Sequence, residues 1–285
     1  MTAAMDRVMD NIDKLDLQGH IAELEVKGFT TIKGVLSEAQ IEHAKQAIVA
    51  RVEEKSGNPI DLETGAGYKG WHYVPHLLYD DVVFEDILME PKPLALLTYL
   101  LGESCLLSSV GCHFKSQGGE PLLLHSDNAN GIPEPFPSYA QIVNINYALS
   151  PYSKEEGALV IVPGSHRYAR NPRPEETQLT GAAANPEAVA MDLAPGDCVI
   201  WHGNTWHGSF AREIPGIRMN LAVYCCRQYI QTQEQHPGNV PQEILDRHSN
   251  DERFQVLLGA KLPYPWNKEG AKGGLLAKSP RGLFD

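Results

Sequence analysis

From about residue 105 onward the chain is a succession of short runs of β-forming residues, each closed by turn residues. This spacing constrains the fold more than any other feature. The runs are CLLSSVGCHF, PLLLHSD, QIVNINYAL, ALVIVPG, AVAMDLAPGD, CVIWHG and RMNLAVYCC. Strands so spaced pair with one another as a sandwich or barrel, because a parallel sheet would need a helical pattern between successive runs. Pro195-Gly196 supplies a turn signal before CVIWHG. The intervening NPRPEETQLTGAAANPEA reads as a long surface excursion.

The first hundred residues read instead as mostly helical. Ser37 followed by Gln40 has the form of a capping box, and Ile41, Ala44, Ala47, Ile48 and Val52 then recur at helical spacing. Pro91, Pro93 and Gly102 bracket a further apolar helix, whose longer part is expected after Pro93. From about Gln231 the tail mixes helix signals (PQEILDRHSNDERFQVLLG) with a Gly- and Lys-rich end. No linker-like composition separates these regions. One domain over residues 1–285 is expected: a mostly helical part to about 104, a β core over about 105–230, and an extension over 231–285.

Charge and cysteine content narrow the function. Twenty-four basic residues against 36 acidic ones leave a net charge of −12, so counterion release gives the chain no affinity for nucleic acid. No run approaches the ~18 apolar residues that a membrane helix needs. The N-terminus carries acidic residues where a secretory signal needs a basic and then an apolar stretch. Five cysteines without a CxxC spacing do not make a disulfide framework. Cys105, Cys112 and Cys198 lie in apolar runs and read as core residues. A reduced, cytoplasmic protein is expected.

Two segments carry candidate chemistry. In PLLLHSD, His125 and Asp127 stand two apart, so a continuous strand would aim both at one face. Alone the pair reads equally as a surface His–Asp pair at a strand end. In CVIWHGNTWHGSFAREIPGIRMNLAVY, His202 and His207 lie on or just beyond a strand, and Arg218 follows His207 by eleven positions. An arginine within an apolar run costs stability unless it meets an anion, either an internal carboxylate or a ligand. Taken together, His125, Asp127 and His207 supply two imidazoles and one carboxylate. This is the ligand set of non-haem iron(II) oxygenases, which leaves coordination positions for a keto acid and dioxygen.

The HxD pair, EGALVIVPGSHR (Glu156–Arg167), PGDCVIWHGNTWHGS and Arg218 resemble the phytanoyl-CoA dioxygenase family of iron(II)/2-oxoglutarate oxygenases. The resemblance extends to YDDVVFEDILMEPKPLALLTYLLG upstream and to RQYIQTQEQ and VLLGAKLPYPW downstream. It implies a double-stranded β-helix, a jelly roll with helices packed outside. It also implies iron(II), 2-oxoglutarate and O2 as cofactor and cosubstrates, with release of succinate and CO2 as an unactivated C–H bond of a small molecule is oxidised. By match, His125, Asp127 and His207 are the iron ligands, His207 being preferred to His202 because it opens the HGS triplet. Arg218 matches the residue that pairs with the distal carboxylate of 2-oxoglutarate, and Ser209 matches a hydroxyl that assists it. Asn146, His113 and Lys115 are further cosubstrate contacts. An aspartate at 127 argues against halogenation, which in relatives uses a small residue there.

Trp71, His72, Tyr73 and His76 form an aromatic, imidazole-rich cluster that reads either as packing or as a wall of the substrate pocket. On the second reading the substrate is apolar or cyclic. A homo-oligomer is compatible with the sequence. Two other functions use the same residues: a cupin-like hydrolase or isomerase holding zinc or manganese, and a catalytically silent jelly-roll binding protein.

Overall fold

A computed structural model of the chain describes residues 3–261, 266–267 and 270–271. The Gly- and Lys-rich end, and part of VLLGAKLPYPW, lie outside the described residues. The chain opens with α1 (Ala3–Lys14), α2 (Gln18–Lys27), β1 (Phe29–Ile32), α3 (Glu38–Ser56), β2 (Trp71–Val74), α4 (Val82–Leu88) and α5 (Pro91–Leu101). The strands β3 (Leu106–Ser116), β4 (Leu122–His125), β5 (Ile142–Ala148), β6 (Leu159–Ile161) and β7 (Val189–Ala190) follow. After them come β8 (Cys198–His202), β9 (His207–Ser209), β10 (Ile217–Arg218) and β11 (Asn220–Cys226), and then α6 (Gln242–Arg247) and α7 (Glu252–Leu257). Among these helices none is long and apolar enough to cross a membrane.

Two antiparallel sheets form the core. The larger runs β1-β8-β5-β11-β3-β10, with β2 also pairing β3, and the smaller runs β4-β9-β6-β7. This is the double-stranded β-helix expected from the strand spacing and the resemblance. The period-two pattern of the larger sheet explains its two faces. In β5, Val143, Ile145 and Tyr147 join Val110, Ile200, Leu221 and Val223 in one apolar cluster. That cluster includes Leu24, Ile48, Phe84 and Leu96 from the helices. The alternate residues Asn144 and Asn146 face a cavity between the sheets instead. The helices therefore cover the apolar face, and the polar face is left to build a site.

The helical expectations hold in detail. Ser37 caps α3 with the reciprocal Gln40 contact, and Ile41, Ala44, Ile48 and Val52 are its buried stripe. The helix after the prolines begins earlier than expected, at Pro91. First-turn N–H groups have no intrahelical partner, so prolines there cost nothing. β1 has no counterpart in the sequence reading. A four-residue strand, FTTI, gives too short a signal, and only its pairing from Phe29↔Trp201 to Ile32↔Cys198 makes it one.

Strand β2 lies directly against β3, with Tyr73 opposite His113 and Val74 opposite Cys112. A Cβ at Gly111 would come within 2.4 Å of the Tyr73 phenol and 2.7 Å of the Val74 carbonyl. Gly111→Ala is therefore expected to lower stability by about 1–3 kcal/mol by pushing β2 outward. Denaturant unfolding checks this, and an unchanged midpoint would show that β2 is not held closely there.

Candidate active site

His125 ends β4, His207 opens β9, and the two are direct partners in the ladder joining those strands. Their rings lie 4.3 Å apart between centroids. Asp127 does not continue the strand. Past Ser126 the chain turns into a short 3-10 segment, Asp127–Asn130, anchored by the Asp127 N–H donating to the Gly203 carbonyl (3.0 Å). The carboxylate thus reaches the imidazoles by a turn and not by strand alternation. One ligand atom from each of His125, Asp127 and His207 lies within 4.8 Å of the others, and His207 Nε2 is 3.6 Å from Asp127 Oδ1.

The remaining atom of each group is already committed. His125 Nδ1 lies 2.9 Å from the Leu123 carbonyl, and His207 Nδ1 lies 3.0 Å from the Thr205 carbonyl. A carbonyl only accepts, so both Nδ1 atoms carry the proton and both Nε2 lone pairs are left to converge. Trp201 Nε1 donates to Asp127 Oδ2 (3.1 Å), which leaves Oδ1 facing the histidines. Burial pushes His207 down to about 4, against the opposing pull of Asp127. The imidazole is therefore neutral near pH 7, the state a metal ligand requires. His202 is elsewhere: its Nδ1 accepts from the Asn204 N–H (3.0 Å) and its ring lies 5.7 Å from that of His166.

These three side chains open into a cavity of about 240 Å³ that Arg218 also lines. Arg218 is 2% exposed, donates to the Tyr152 hydroxyl (3.2 Å), and has no partner at Nε or Nη1. Lys115, fully buried, stands opposite Arg218 in the β3–β10 pairing. Its Nζ donates to Ser209 Oγ (2.9 Å) and the Phe210 carbonyl (2.8 Å). Burial and the neighbouring guanidinium together push Lys115 down to about 7. Two desolvated cations side by side repel one another, and among the described residues no carboxylate pairs with either. An anionic ligand would relieve both the repulsion and the unpartnered nitrogens.

Asn146 lines the same cavity, but its amide oxygen accepts from Tyr152 (3.0 Å) and Asn220 (2.8 Å). It therefore positions the tyrosine whose ring lies 4.7 Å from the Arg218 guanidinium. His113 Nδ1 accepts from Trp71 Nε1 (3.2 Å), so His113 presents an Nε2–H donor. Burial, reinforced by the charges of Arg218 and Lys115, pushes it down to about 3 and keeps it neutral. Of the aromatic cluster, Tyr73 lines the cavity and Trp71 stacks behind His113 at 5.6 Å. Strand alternation sends His72 the other way, to the Tyr68 hydroxyl (2.6 Å). His76, largely exposed, lies 3.6 Å from Glu234. The structure does not bring His72 or His76 into the cavity lining. The sequence reading missed Trp201, Tyr152, Asn144 and Tyr224, which carry no spacing signal and are recruited by register across strands.

The profile of the family described as Phytanoyl-CoA dioxygenase (PhyH) matches residues 24–220. Dioxygenase af480 of Aspergillus fumigatus is 30% identical over 216 residues, covering 73% of this chain and 65% of that protein. Dioxygenase FrzG of a Cladobotryum species is 27% identical over 143 residues, covering 47% of this chain and 46% of that protein. The chain thus spans less than two thirds of the length of these two relatives. Among solved structures, HygX of Streptomyces hygroscopicus, determined with nickel and 2-oxoglutarate bound, aligns at a TM-score of 0.62 and 18% identity over 75% of this chain and 88% of that one. The carbocyclase SnoK from nogalamycin biosynthesis aligns at 0.56 and 21% identity over 81% and 90%. At these identities the structural likenesses establish the jelly-roll fold. With the profile spanning most of the β core and the helices that cover it, the chain belongs to the phytanoyl-CoA dioxygenase family.

Proposed function

We propose that this chain is an iron(II)- and 2-oxoglutarate-dependent dioxygenase that hydroxylates, or otherwise oxidises, an unactivated C–H bond of a small organic molecule. One observation carries the reading: two Nε2 lone pairs and a carboxylate converge in the same cavity as a buried arginine with two unpartnered nitrogens. The donor set suits a ferrous ion, since neutral imidazoles and a carboxylate leave open positions around it. Iron, 2-oxoglutarate and dioxygen supply the oxidising power when bound, and the cosubstrate leaves as succinate and carbon dioxide.

The chain's own residues position and shield. His125, Asp127 and His207 hold the metal, with Leu123, Thr205 and Trp201 fixing how each ligand points. Arg218 receives the distal carboxylate of the cosubstrate through its unpartnered nitrogens, and Lys115 adds a second positive charge across the strand pair. Ser209 accepts from Lys115, so its own proton is available to the carboxylate. The His113 Nε2–H is a neutral donor that cannot compete for the metal as a base. Burial of Asp127, His207, Lys115, Ser209 and Arg218 limits the access of bulk water to the reactive centre. A hydrolase or isomerase would have no use for a cradle of two desolvated cations beside its metal, so this arrangement favours a keto-acid cosubstrate.

The test is spectroscopic and requires no known substrate. Adding 2-oxoglutarate to the anaerobic iron(II)-loaded protein is expected to produce the visible charge-transfer band of a ferrous keto-acid chelate. Admitting oxygen is then expected to yield succinate. Iron retention without that band would overturn the assignment.

A further inference from the structure

The cavity has two chemically different ends. Lys115 stands beside Arg218, whereas Ser109 pairs with Tyr224. The six residue steps along β3 between those rows span about 20 Å. The Ser109 end is lined by Tyr73, Ser109, Asn144, Tyr224 and Gln233, all amides or hydroxyls. The charged lining residues, Asp127 and Arg218, are those already assigned to metal and cosubstrate. Burial pushes the Tyr73 phenol up to about 12, so it too is uncharged near neutrality.

These polar groups are not all satisfied within the protein. The Asn144 amide oxygen is buried with no partner. Whichever way that amide is flipped, one of its atoms lacks a hydrogen bond. Gln233 spends its oxygen on the Ser109 hydroxyl (2.8 Å), which leaves the amide nitrogen as the donor it can offer a ligand. The rings of Tyr73, Trp201 and Tyr224 bound the same space and present flat apolar faces. Among the lining residues the charge bordering this end is Asp127, whose carboxylate Trp201 contacts (3.1 Å) and whose carbonyl Tyr224 contacts (3.4 Å). That charge is committed to the metal, so a charged group placed here would find no free counter-charge, and a pure hydrocarbon would leave Asn144 unpaired. Either mismatch lowers binding by about 10-fold or more.

We propose that the part of the primary substrate entering this end is an uncharged, oxygen-bearing ring. One hydroxyl of the ring donates to Asn144, and a carbonyl or hydroxyl oxygen accepts from Gln233. The proposal rests on the dioxygenase reading and refines the expectation of an apolar or cyclic substrate: cyclic and neutral, but hydrogen-bonding. The cavity of about 240 Å³ also has to hold the cosubstrate, so the remainder of a larger substrate lies outside it.

A matched set of bicyclic probes tests it: 5-hydroxy-1-tetralone, tetralin, a tetralin carboxylate and an aminomethyl-tetralin. Each is titrated into the full chain loaded with nickel(II) and 2-oxoglutarate, following tryptophan fluorescence. The hydroxytetralone is expected to bind at least about 10-fold more tightly than the other three. Asn144→Leu is expected to erase that preference and improve tetralin binding, and Gln233→Leu serves as the second variant where Asn144→Leu does not fold. Equal or tighter binding of a charged or hydrocarbon probe, or no binding by any of the four, overturns the proposal. Uptake of 2-oxoglutarate by the nickel protein is measured on the same samples. Its failure would overturn the dioxygenase reading itself, whereas normal uptake with the wrong probe preference overturns only the substrate class.

Discussion

His207→Ala is expected to abolish metal retention and turnover, whereas His202→Ala leaves metal binding largely intact. The two histidines lie in the same stretch of sequence, and only one of them has its Nε2 within ligand distance of His125 and Asp127. Losing an outer-shell partner commonly costs 10–100-fold in metal affinity, so losing a ligand should cost at least about 100-fold. His202→Ala instead leaves the Asn204 N–H without its acceptor, a loss of about 1–3 kcal/mol that would appear in stability and not in metal affinity. Calorimetric titration with iron(II) under nitrogen, alongside thermal unfolding, separates the two effects. Equal metal loss in both variants would show that the wrong histidine had been chosen.

Arg218→Ala is expected to raise the 2-oxoglutarate requirement by roughly 30-fold or more, corresponding to ~2 kcal/mol for truncating one partner of a buried charge pair. Metal affinity should change little, because Arg218 is not one of the three side chains whose ligand atoms converge. Lys115 adds a pH signature to this prediction. Burial and Arg218 lower it to about 7, so below that pH it is already charged and attracts the cosubstrate. Above about pH 7 it is neutral, and binding an anion must take up a proton, so affinity should fall by up to tenfold per pH unit. Lys115→Met should bind 2-oxoglutarate more weakly at pH 6 and show a flat profile above 7. A wild-type profile that is flat across this range would remove Lys115 from the cosubstrate site.

Much of the fold was legible because strand spacing and capping chemistry are local. Ser37 and Gln40 mark the start of α3 from four residues of sequence. QIVNINYAL shows both a face for the helices and a face for the cavity. The site was legible in part. His125 and Asp127 are close in sequence, and the family match singled out His207 and Arg218, yet the reason these positions serve lies in partners that no spacing reveals. Trp201 orients Asp127 across 74 residues of sequence, and Tyr152 meets Arg218 across 66. Such pairs form only when β8 and β10 are brought against the segments that carry Asp127 and Tyr152.

The amino-acid sequence by itself determined an antiparallel β core with helices on one face, and a small set of residues able to bind a metal and an anion. Both follow from side-chain periodicity and donor chemistry, which are properties of short segments. Only the tertiary structure decided that Asp127 arrives by a turn, that Lys115 stands beside Arg218 across the β3–β10 pair, and that His72 and His76 stay out of the lining. It also decided that the end around Ser109 is lined by amides and hydroxyls. The reason is register: a one-residue shift reverses which face a strand side chain occupies, and register is set by the partner strand, not by the segment itself.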